Sequence, residues 1–455
     1  MRFRAASRPA SIIETEAGPE TIALDDAKST ATVEQAAAPK QEITTFHAFR
    51  FRDFRFLWVG TAFSSGAQWI QQTTMGWLVF DLTGSGSALG LVGSIGSLPT
   101  PFVSPLAGLL SDRINRNVII AISQGALFIN ALFLAAAITF DVLQVWHLFV
   151  FAAIAGIINA FNMPARQALV FDIVPREAVP NAVALSNLAF GTMRTIGPMV
   201  GGALIVFFGP ANNFLLQALL YLSVMATVLM IRLPGPPAGA RVKRSFFRDM
   251  AEGYRFVIGD PAARILLVMM MIYPLFIIPL HSALLPIFAR SIFHVDASGL
   301  GILFGSLGLG TIIGALLTAS LNKMDRRGLL QIYALFILGS CQASFSIVGG
   351  LTHSLWAAVG FLVLAGIGSA IFNTTNQTVL QLLAPDHLRG RIASVLQVQP
   401  ICMATGIMIT GAAADVFGAA AVGAGISLIA FSVGLAVLIF SPRMRNLRLS
   451  TVGDR

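Results

Sequence analysis

Apolar residues recur along this chain in runs of about twenty, the length an α-helix needs to cross the hydrocarbon core of a bilayer. Runs begin near Phe56, Ala88, Val118, Val145, Asn181 and Phe214, and a second series begins near Ile265, Ser298, Leu329, Leu355, Ile392 and Ala420. The pattern predicts six plus six membrane helices. The longest polar connection, about Pro234 to Arg264, falls between the two sets and carries Pro236, Pro237, Arg241, Lys243, Arg244 and Arg248. The first 45 residues are polar, rich in Ala, Glu, Thr and Pro, and lack the apolar segment of a secretory signal, which predicts a disordered cytoplasmic tail. The chain then divides into a tail (1–45), a bundle (46–233), a linker (234–263), a second bundle (264–442) and a short tail (443–455).

The second series repeats the first. The stretch from Gly156 to Pro175 returns as Gly366 to Pro385, 210 residues later, with Ala160-Phe161, Gln167 and Pro175 answering to Ala370-Ile371, Gln377 and Pro385. Leu89-Gly90 matches Leu300-Gly301, and Arg116 matches Arg327, at 211. Such an offset marks a transporter built from parallel repeats. The expected fold is an all-α membrane protein with twelve transmembrane helices in two pseudo-symmetric six-helix bundles. A substrate pathway would lie between them near the midplane.

Composition agrees. Of 455 residues, 56% are hydrophobic and 11% charged, and mean hydropathy is +0.78; a soluble domain carries roughly 25% charged residues. The net charge of +9 invites a nucleic-acid reading, which the positions of the charges oppose. Basic residues fall in alternate connections: Arg50, Arg52 and Arg55 before the first span, Arg113 and Arg116 after the second, and Arg166 and Arg176 after the fourth. The central linker, Arg326 and Arg327, Arg389 and Arg391, and Arg443, Arg445 and Arg448 continue the series. Only Arg290 breaks it. The positive-inside rule then puts both termini in the cytoplasm. Cys341 and Cys402 sit in apolar runs and indicate neither a disulfide framework nor a metal site.

After the second span the chain reads Gly108-Leu-Leu-Ser-Asp112-Arg113-Ile-Asn-Arg116-Asn117. A carboxylate and two guanidiniums in a short turn can pair with neighbouring helix ends, locking one face and releasing it as the bundles rock. This cluster resembles the loop motif of the major facilitator superfamily, with Asn115 and Asn117 departing from its usual Gly and basic residue. The second-half copy, Asn322-Lys323-Met324-Asp325-Arg326-Arg327, is degenerate. Gly197-Pro198-Met-Val-Gly201-Gly202 in the fifth span looks like the end of the superfamily's antiporter motif, without its upstream glycines. Further stretches, among them Phe54-Arg55-Phe56-Leu57-Trp58, Pro164-Ala165-Arg166-Gln167-Ala168 and Leu388-Arg389-Gly390-Arg391, are similar to the subgroup of siderophore and macrolide exporters. The resemblance covers about residues 46–441. It implies a monomeric secondary exporter of the bacterial inner membrane, moving small amphipathic molecules by alternating access and coupled to protons. It also implies gating by Gly108, Asp112, Arg113, Arg116 and Arg166.

Polar residues at membrane depth supply the candidate site. Arg194 falls near the middle of the fifth span, where a charge costs at least ~3 kcal/mol, so it is either functional or bonded to helix carbonyls. In the superfamily, spans one, four, seven and ten line the cavity. That points to Gln68, Gln71 and Gln72, to Asn159 and Asn162, to Tyr273 and His281, and to Asn373, Thr374, Asn376 and Gln377. Buried amides require partners, so each could instead bridge helices. His281 lies between Pro279 and Pro286 and titrates near neutral pH, which makes it the proton-coupling candidate; Pro274, Pro279 and Pro286 predict a broken helix there. Asp81 and Asp415 are expected at the outer membrane surface, and the first span has no deep carboxylate. No Walker motif is present, and one internal histidine offers no catalytic constellation, so neither an ATPase nor an enzyme is indicated and no cofactor is expected. An importer of organic anions and a transporter-like sensor remain as alternatives.

Overall fold

A chain immersed in hydrocarbon must pair its own backbone N–H and C=O groups, and a helix does so within one segment. The computed structural model describes residues 46–111, 114–231, 254–255, 258–259, 261–321, 324–383 and 398–447, and in them the predicted runs are helical. We number the spans α1 (Arg52–Thr83), α2 (Gly86–Ser97, continued by Pro99–Ser111), α3 (Arg116–Thr139) and α4 (Val145–Ile173). Val179–Leu229 holds α5 (179–208) and α6 (210–229), divided at Gly209. In the second half, α7 spans 261–292, and α8 (Ala297–Ser320), α9 (Arg327–Thr352), α10 (Leu355–Leu383), α11 (Gln399–Phe417) and α12 (Ala419–Phe440) follow. The predicted tail (1–45), most of the linker, Arg389 and Arg391, and residues 448–455 lie outside the described residues.

The surface carries what a soluble protein buries. Ile122, Phe133, Phe207, Leu316, Ile409 and Phe440 are exposed, while Gln124, Asn213, Gln217, Gln331 and Gln342 are fully buried. That distribution suits a lipid surround. Several of these buried amides bind helices to one another. Along α6, Asn213, Gln217 and Tyr221 recur every four residues and so share one face. Asn213 Nδ2 donates to Thr74 Oγ1 (2.9 Å) and the Gly201 carbonyl (2.8 Å), Gln217 Nε2 to the Ala67 carbonyl (3.0 Å), and Tyr221 Oη to Gln71 Oε1 (3.2 Å).

The sequence repeat is visible in the element boundaries. Gly86 starts α2 and Ala297 starts α8, Arg116 starts α3 and Arg327 starts α9, and the ends Val145 and Ile173 of α4 reappear as Leu355 and Leu383 of α10. Packing repeats too, since Gly156 of α4 meets Gly96 of α2 and Gly366 of α10 meets Leu307 and Gly310 of α8.

Local chemistry sets the breaks. Twelve crossings bring His47 and Leu447 to one face, called here the terminal face; the other is the far face. Each of the six far-face turns has one residue at positive φ: Gly84, Asp141, Gly209, His294, His353 and Gly418. At Gly209 (φ 78°) the absent Cβ permits the left-handed conformation that ends α5, and Pro210 opens α6. The interruption of α2 at Leu98 is not anticipated by hydropathy; it coincides with Pro99 and Pro101, which lack backbone donors. The prolines of α7 do not break it. They coincide with widened π-turns at Tyr273–Ile277, Leu280–Leu284 and Phe288–Ile292 inside a continuous helix.

A second expectation is also corrected. Arg166 does not sit in a loop after the fourth span. Helix α4 runs on through Pro164 to Ile173, and Arg166 lies inside it, buried, with Nη1 donating to Thr61 Oγ1 at 3.3 Å. A proline is tolerated within a membrane helix when neighbouring groups satisfy the backbone it leaves unpaired.

Candidate functional site

The seam between the halves is tight at the far face. Helix α5 packs on α8 through Gly202 against the Ala297 carbonyl and Gly301, and through Thr195 against Gly308. Helix α2 packs on α11 through Gly86 against Gly411 and through Gly90 against Ile407 and Met408. Small residues let backbones approach this closely. Ser94 Oγ donates across the seam to the Ala404 carbonyl at 2.6 Å. Nearer the far surface, the Asp415 carboxylate accepts from Gly86 N (2.6 Å), Ser87 N (2.8 Å), Ser87 Oγ (2.6 Å) and Ser85 Oγ (2.9 Å), which places it on the N-terminus of α2. Arg290 of α7 lies 3.1 Å from Asp81 of α1 and stacks over Trp77, so the one arginine that broke the charge alternation has an ion-pair partner.

Beyond Thr195 and Gly308, towards the terminal face, the same helices line a cavity of about 360 Å³. Helix α5 contributes Asn187 and Arg194, α7 contributes Tyr273, and α8 contributes Thr311 and Ala315. Helix α10 adds Ser369, Ala370, Asn373, Thr374, Gln377 and Thr378. Asn187, Thr374, Gln377 and Thr378, which lie nearest the terminal face on their helices, are exposed, so the cavity opens that way. Tyr273 Oη and Ser369 Oγ share a hydrogen bond of 2.8 Å at its inner end, and Gln377 Nε2 donates to Asn373 Oδ1 at 3.0 Å. Arg194 is half-buried, with its guanidinium carbon 5.4 Å from the Trp69 ring centroid. Gly197, one turn further on, makes this possible: a Cβ there would lie 2.7 Å from Trp69 Cβ, so α5 can rest on α1 only with glycine at that position.

Of the candidates from sequence, Arg194, Tyr273, Asn373, Thr374 and Gln377 line the cavity together. Three others are bonded within their own half. Gln71 is bonded to Tyr221, and Asn376 Nδ2 donates to the Leu266 carbonyl at 3.3 Å. Asn162 is buried, and His281 is buried with its Nε2 2.8 Å from Gln342 Nε2. The reason is angular: successive helical residues differ by about 100°, so Asn376 is turned by that much from Gln377, away from the face that Gln377 shares with Asn373. Gln68, Gln72 and Asn159 are half-buried and are not among the lining residues. Asn187, Thr311 and Ser369 are lining residues that sequence reasoning missed; apart from their depth, nothing in the local pattern singles them out.

The motif residues divide similarly. Gly197 and Gly201 pack on α1 while Gly202 packs on α8, so the Gly197-Pro198 segment is the joint that α5 makes with both halves. Gly108 is exposed on the second segment of α2, and Arg116 Nη1 bonds Asp172 (2.5 Å) and the Ala168 carbonyl (3.0 Å) of α4. Asp112 and Arg113 lie outside the described residues. Among the described residues no cluster of His, Cys, Asp and Glu could hold a metal ion.

Two six-helix halves with a polar cavity on their seam define a transporter of the major facilitator type. Residues 43–451 match the model of the transmembrane secretion effector family, and the chain belongs to that family. It is similar to the staphyloferrin A transporter of Staphylococcus aureus (24% identity, 77% of this chain and 86% of that one). It is also similar to the multidrug efflux pump Tap of Mycolicibacterium fortuitum (27%, 82% and 92%) and the enterobactin exporter EntS of Shigella flexneri (26%, 65% and 68%). Among solved structures it shares its fold with a bacterial homologue of the lysosomal transporter Spinster in an inward-facing conformation (TM-score 0.66, 16% identity, covering 85% of this chain and 94% of that one). A D-xylose-proton symporter is alike in fold at TM-score 0.67 and 12% identity (86% and 99%). The chain is a multi-pass inner-membrane secondary transporter and not an enzyme.

Proposed function

We propose that this transporter exports small amphipathic molecules, of the drug or siderophore kind, loading them from the cytoplasm into the cavity between its halves. One observation carries the reading: the cavity opens towards the terminal face, where His47 and Leu447 lie, while the seam at the opposite face is packed through glycines. The alternation of basic residues assigns the open face to the cytoplasm. Arg194, Tyr273, Asn373 and Gln377 then meet the cargo, and the relatives named for siderophore and drug export support that direction and class. The Gly108–Arg116 segment would close the cytoplasmic face as the far face opens. Proton coupling is the expectation from the superfamily; no carboxylate is among the cavity's lining residues, so a proton site would lie elsewhere. A monomer suffices, because the pathway lies within one chain.

The same open state would release the cargo of an importer, and Arg194 suits an organic anion in either direction. Direction is decided by dye accumulation in cells with and without the protein. Export predicts lower steady-state accumulation in expressing cells for part of a chemically broad panel. Higher accumulation of anionic members would establish import, and unchanged accumulation across the panel would sink both readings.

A further inference from the structure

The cavity's lining residues include one formal charge and no opposite one. Arg194 stands among amides and hydroxyls, and no Asp or Glu lines the cavity with it. Among the described residues its guanidinium lies over the face of Trp69, at 5.4 Å. A cation stacked on an indole keeps its in-plane N–H groups free to donate. Two other arginines of this protein, both near helix ends, face carboxylates: Arg116 has Asp172 and Arg290 has Asp81. The guanidinium at membrane depth is different. It is half-buried at membrane depth, where an uncompensated charge is costly, and its placement is specific, since Gly197 is required to bring α5 onto Trp69. Asn373 and Gln377 sit across the cavity on α10 as neutral polar groups.

We propose that Arg194 is an anion subsite: the cargo carries a carboxylate or comparable oxyanion that takes a two-pronged hydrogen bond from this guanidinium within the cavity. This rests on the cavity being the cargo site, as proposed above, and adds a charge requirement that the neutral lining alone would not impose. A planar guanidinium matches a carboxylate in a way an ammonium does not, so Arg194→Lys is an informative intermediate.

The test measures binding, so it is independent of transport direction. Purified protein in nanodiscs is titrated with three probes on one framework: naphthyl carboxylate, its methyl ester and naphthylmethyl-trimethylammonium. The wild type is expected to bind the carboxylate most tightly. Arg194→Gln should weaken the carboxylate by about tenfold or more while leaving the ester within about twofold, and should improve the cationic probe; Arg194→Lys should fall between. Thermal melting of each variant accompanies the titration. Equal losses on all three probes with an unchanged melt, or a carboxylate affinity that Arg194→Gln leaves intact, overturn the charge assignment but leave a general exporter standing. Failure of Tyr273→Leu and Asn373→Leu to alter binding of any probe would overturn the cavity as the cargo site, and the anion subsite with it.

Discussion

Two helices at corresponding places in the halves begin at the far face, and their first turns are capped differently. Helix α8 is capped by its own Asp296, whose carboxylate accepts from Ser298 N (3.0 Å), Gly299 N (3.2 Å) and Ser298 Oγ (2.5 Å). The equivalent position before α2, 211 residues earlier, is Ser85, whose hydroxyl accepts from Ala88 N at 3.3 Å. There the carboxylate comes from Asp415 of α11, in the other half. The first N–H groups of a helix need acceptors, and its positive end favours an anion. Both ends therefore have what they need, but α8 keeps its carboxylate whether the halves are together or apart. Helix α2 has one only while α11 lies against it. The local cap stabilises the fold; the borrowed cap stabilises one conformation of the transport cycle.

The largest effect follows from forcing the borrowed cap away. A Cβ at Gly411 would strike the Gly86 carbonyl, which is backbone and cannot swing aside. Gly411→Val should therefore part α2 from α11, at a cost of about 1–3 kcal/mol or more to the closed far end. Transport should fall at least about tenfold, and spin labels at the far ends of α2 and α11 should report a longer distance. Gly425→Val on α12, where a Cβ meets open space, is the control and should behave as wild type. Retention of the short distance in Gly411→Val would show that the seam is not fixed by this contact.

Removing the carboxylate alone is gentler. Asp415→Ala keeps the backbone packing and deletes the charge-assisted hydrogen bonds, which should shift the balance towards a far-open state by about 1–2 kcal/mol, or some five- to thirtyfold in population. Asp415→Asn retains an acceptor and should give roughly half that free-energy change. The same label pair measures both. If Asp415→Ala lowers the melting temperature while the distance distribution stays put, the contact is a structural cap like Asp296 and the contrast between the two helices collapses.

That contrast was out of reach of the sequence for a physical reason. Membrane helices announce themselves locally, because about twenty apolar residues in a row are needed for each crossing. The duplication is visible because the offset between Arg116 and Arg327 survives as the offset between the starts of α3 and α9. Contacts between halves have no such local signature. Asp415 lies some 330 residues from Ser85, and placing it at the membrane surface says nothing about which helix end it meets. The candidate site fared unevenly on similar grounds. Depth is readable and picked out Arg194, whereas facing depends on rotations of a few tens of degrees. Gln71 and Asn376 lie at suitable depths, yet Gln71 pairs with Tyr221 and Asn376 with the Leu266 carbonyl.

The local cap should show itself in stability instead. Asp296→Ala is expected to cost about 1 kcal/mol, the usual loss for an N-cap, without changing the α2–α11 distance. Its pH dependence has a definite sign. The Ser298 hydroxyl, with help from the backbone N–H groups of Gly299 and Ser298, holds the Asp296 carboxyl below its ordinary value of 3.8 against the opposing effect of burial. The stabilisation is therefore complete above the unfolded value and is lost as pH falls through the lower folded one. The melting-temperature gap between wild type and Asp296→Ala should be constant near neutrality and shrink on acidification below about pH 4. A gap that widened with acid would contradict the assignment.

The smallest effect belongs to the cross-seam ion pair. Arg290 and Asp81 are 3.1 Å apart, but their side chains are 53% and 41% exposed, so solvent screens most of their attraction. The stacking of Arg290 on Trp77 adds a comparable increment. Arg290→Gln should move the far-end balance by no more than about 1 kcal/mol at low ionic strength. Raising salt from ~0.01 M to ~0.15 M shortens the screening length from about 30 Å to about 8 Å and should remove most of that difference. The Asp415→Ala shift should persist across the same range, because its partners include backbone N–H groups held at hydrogen-bond distance in the seam. Label distances for both variants at the two salt concentrations make the comparison. Equal salt sensitivity would mean that Asp415 acts as an ordinary surface charge and that the closed end is held by glycine packing alone.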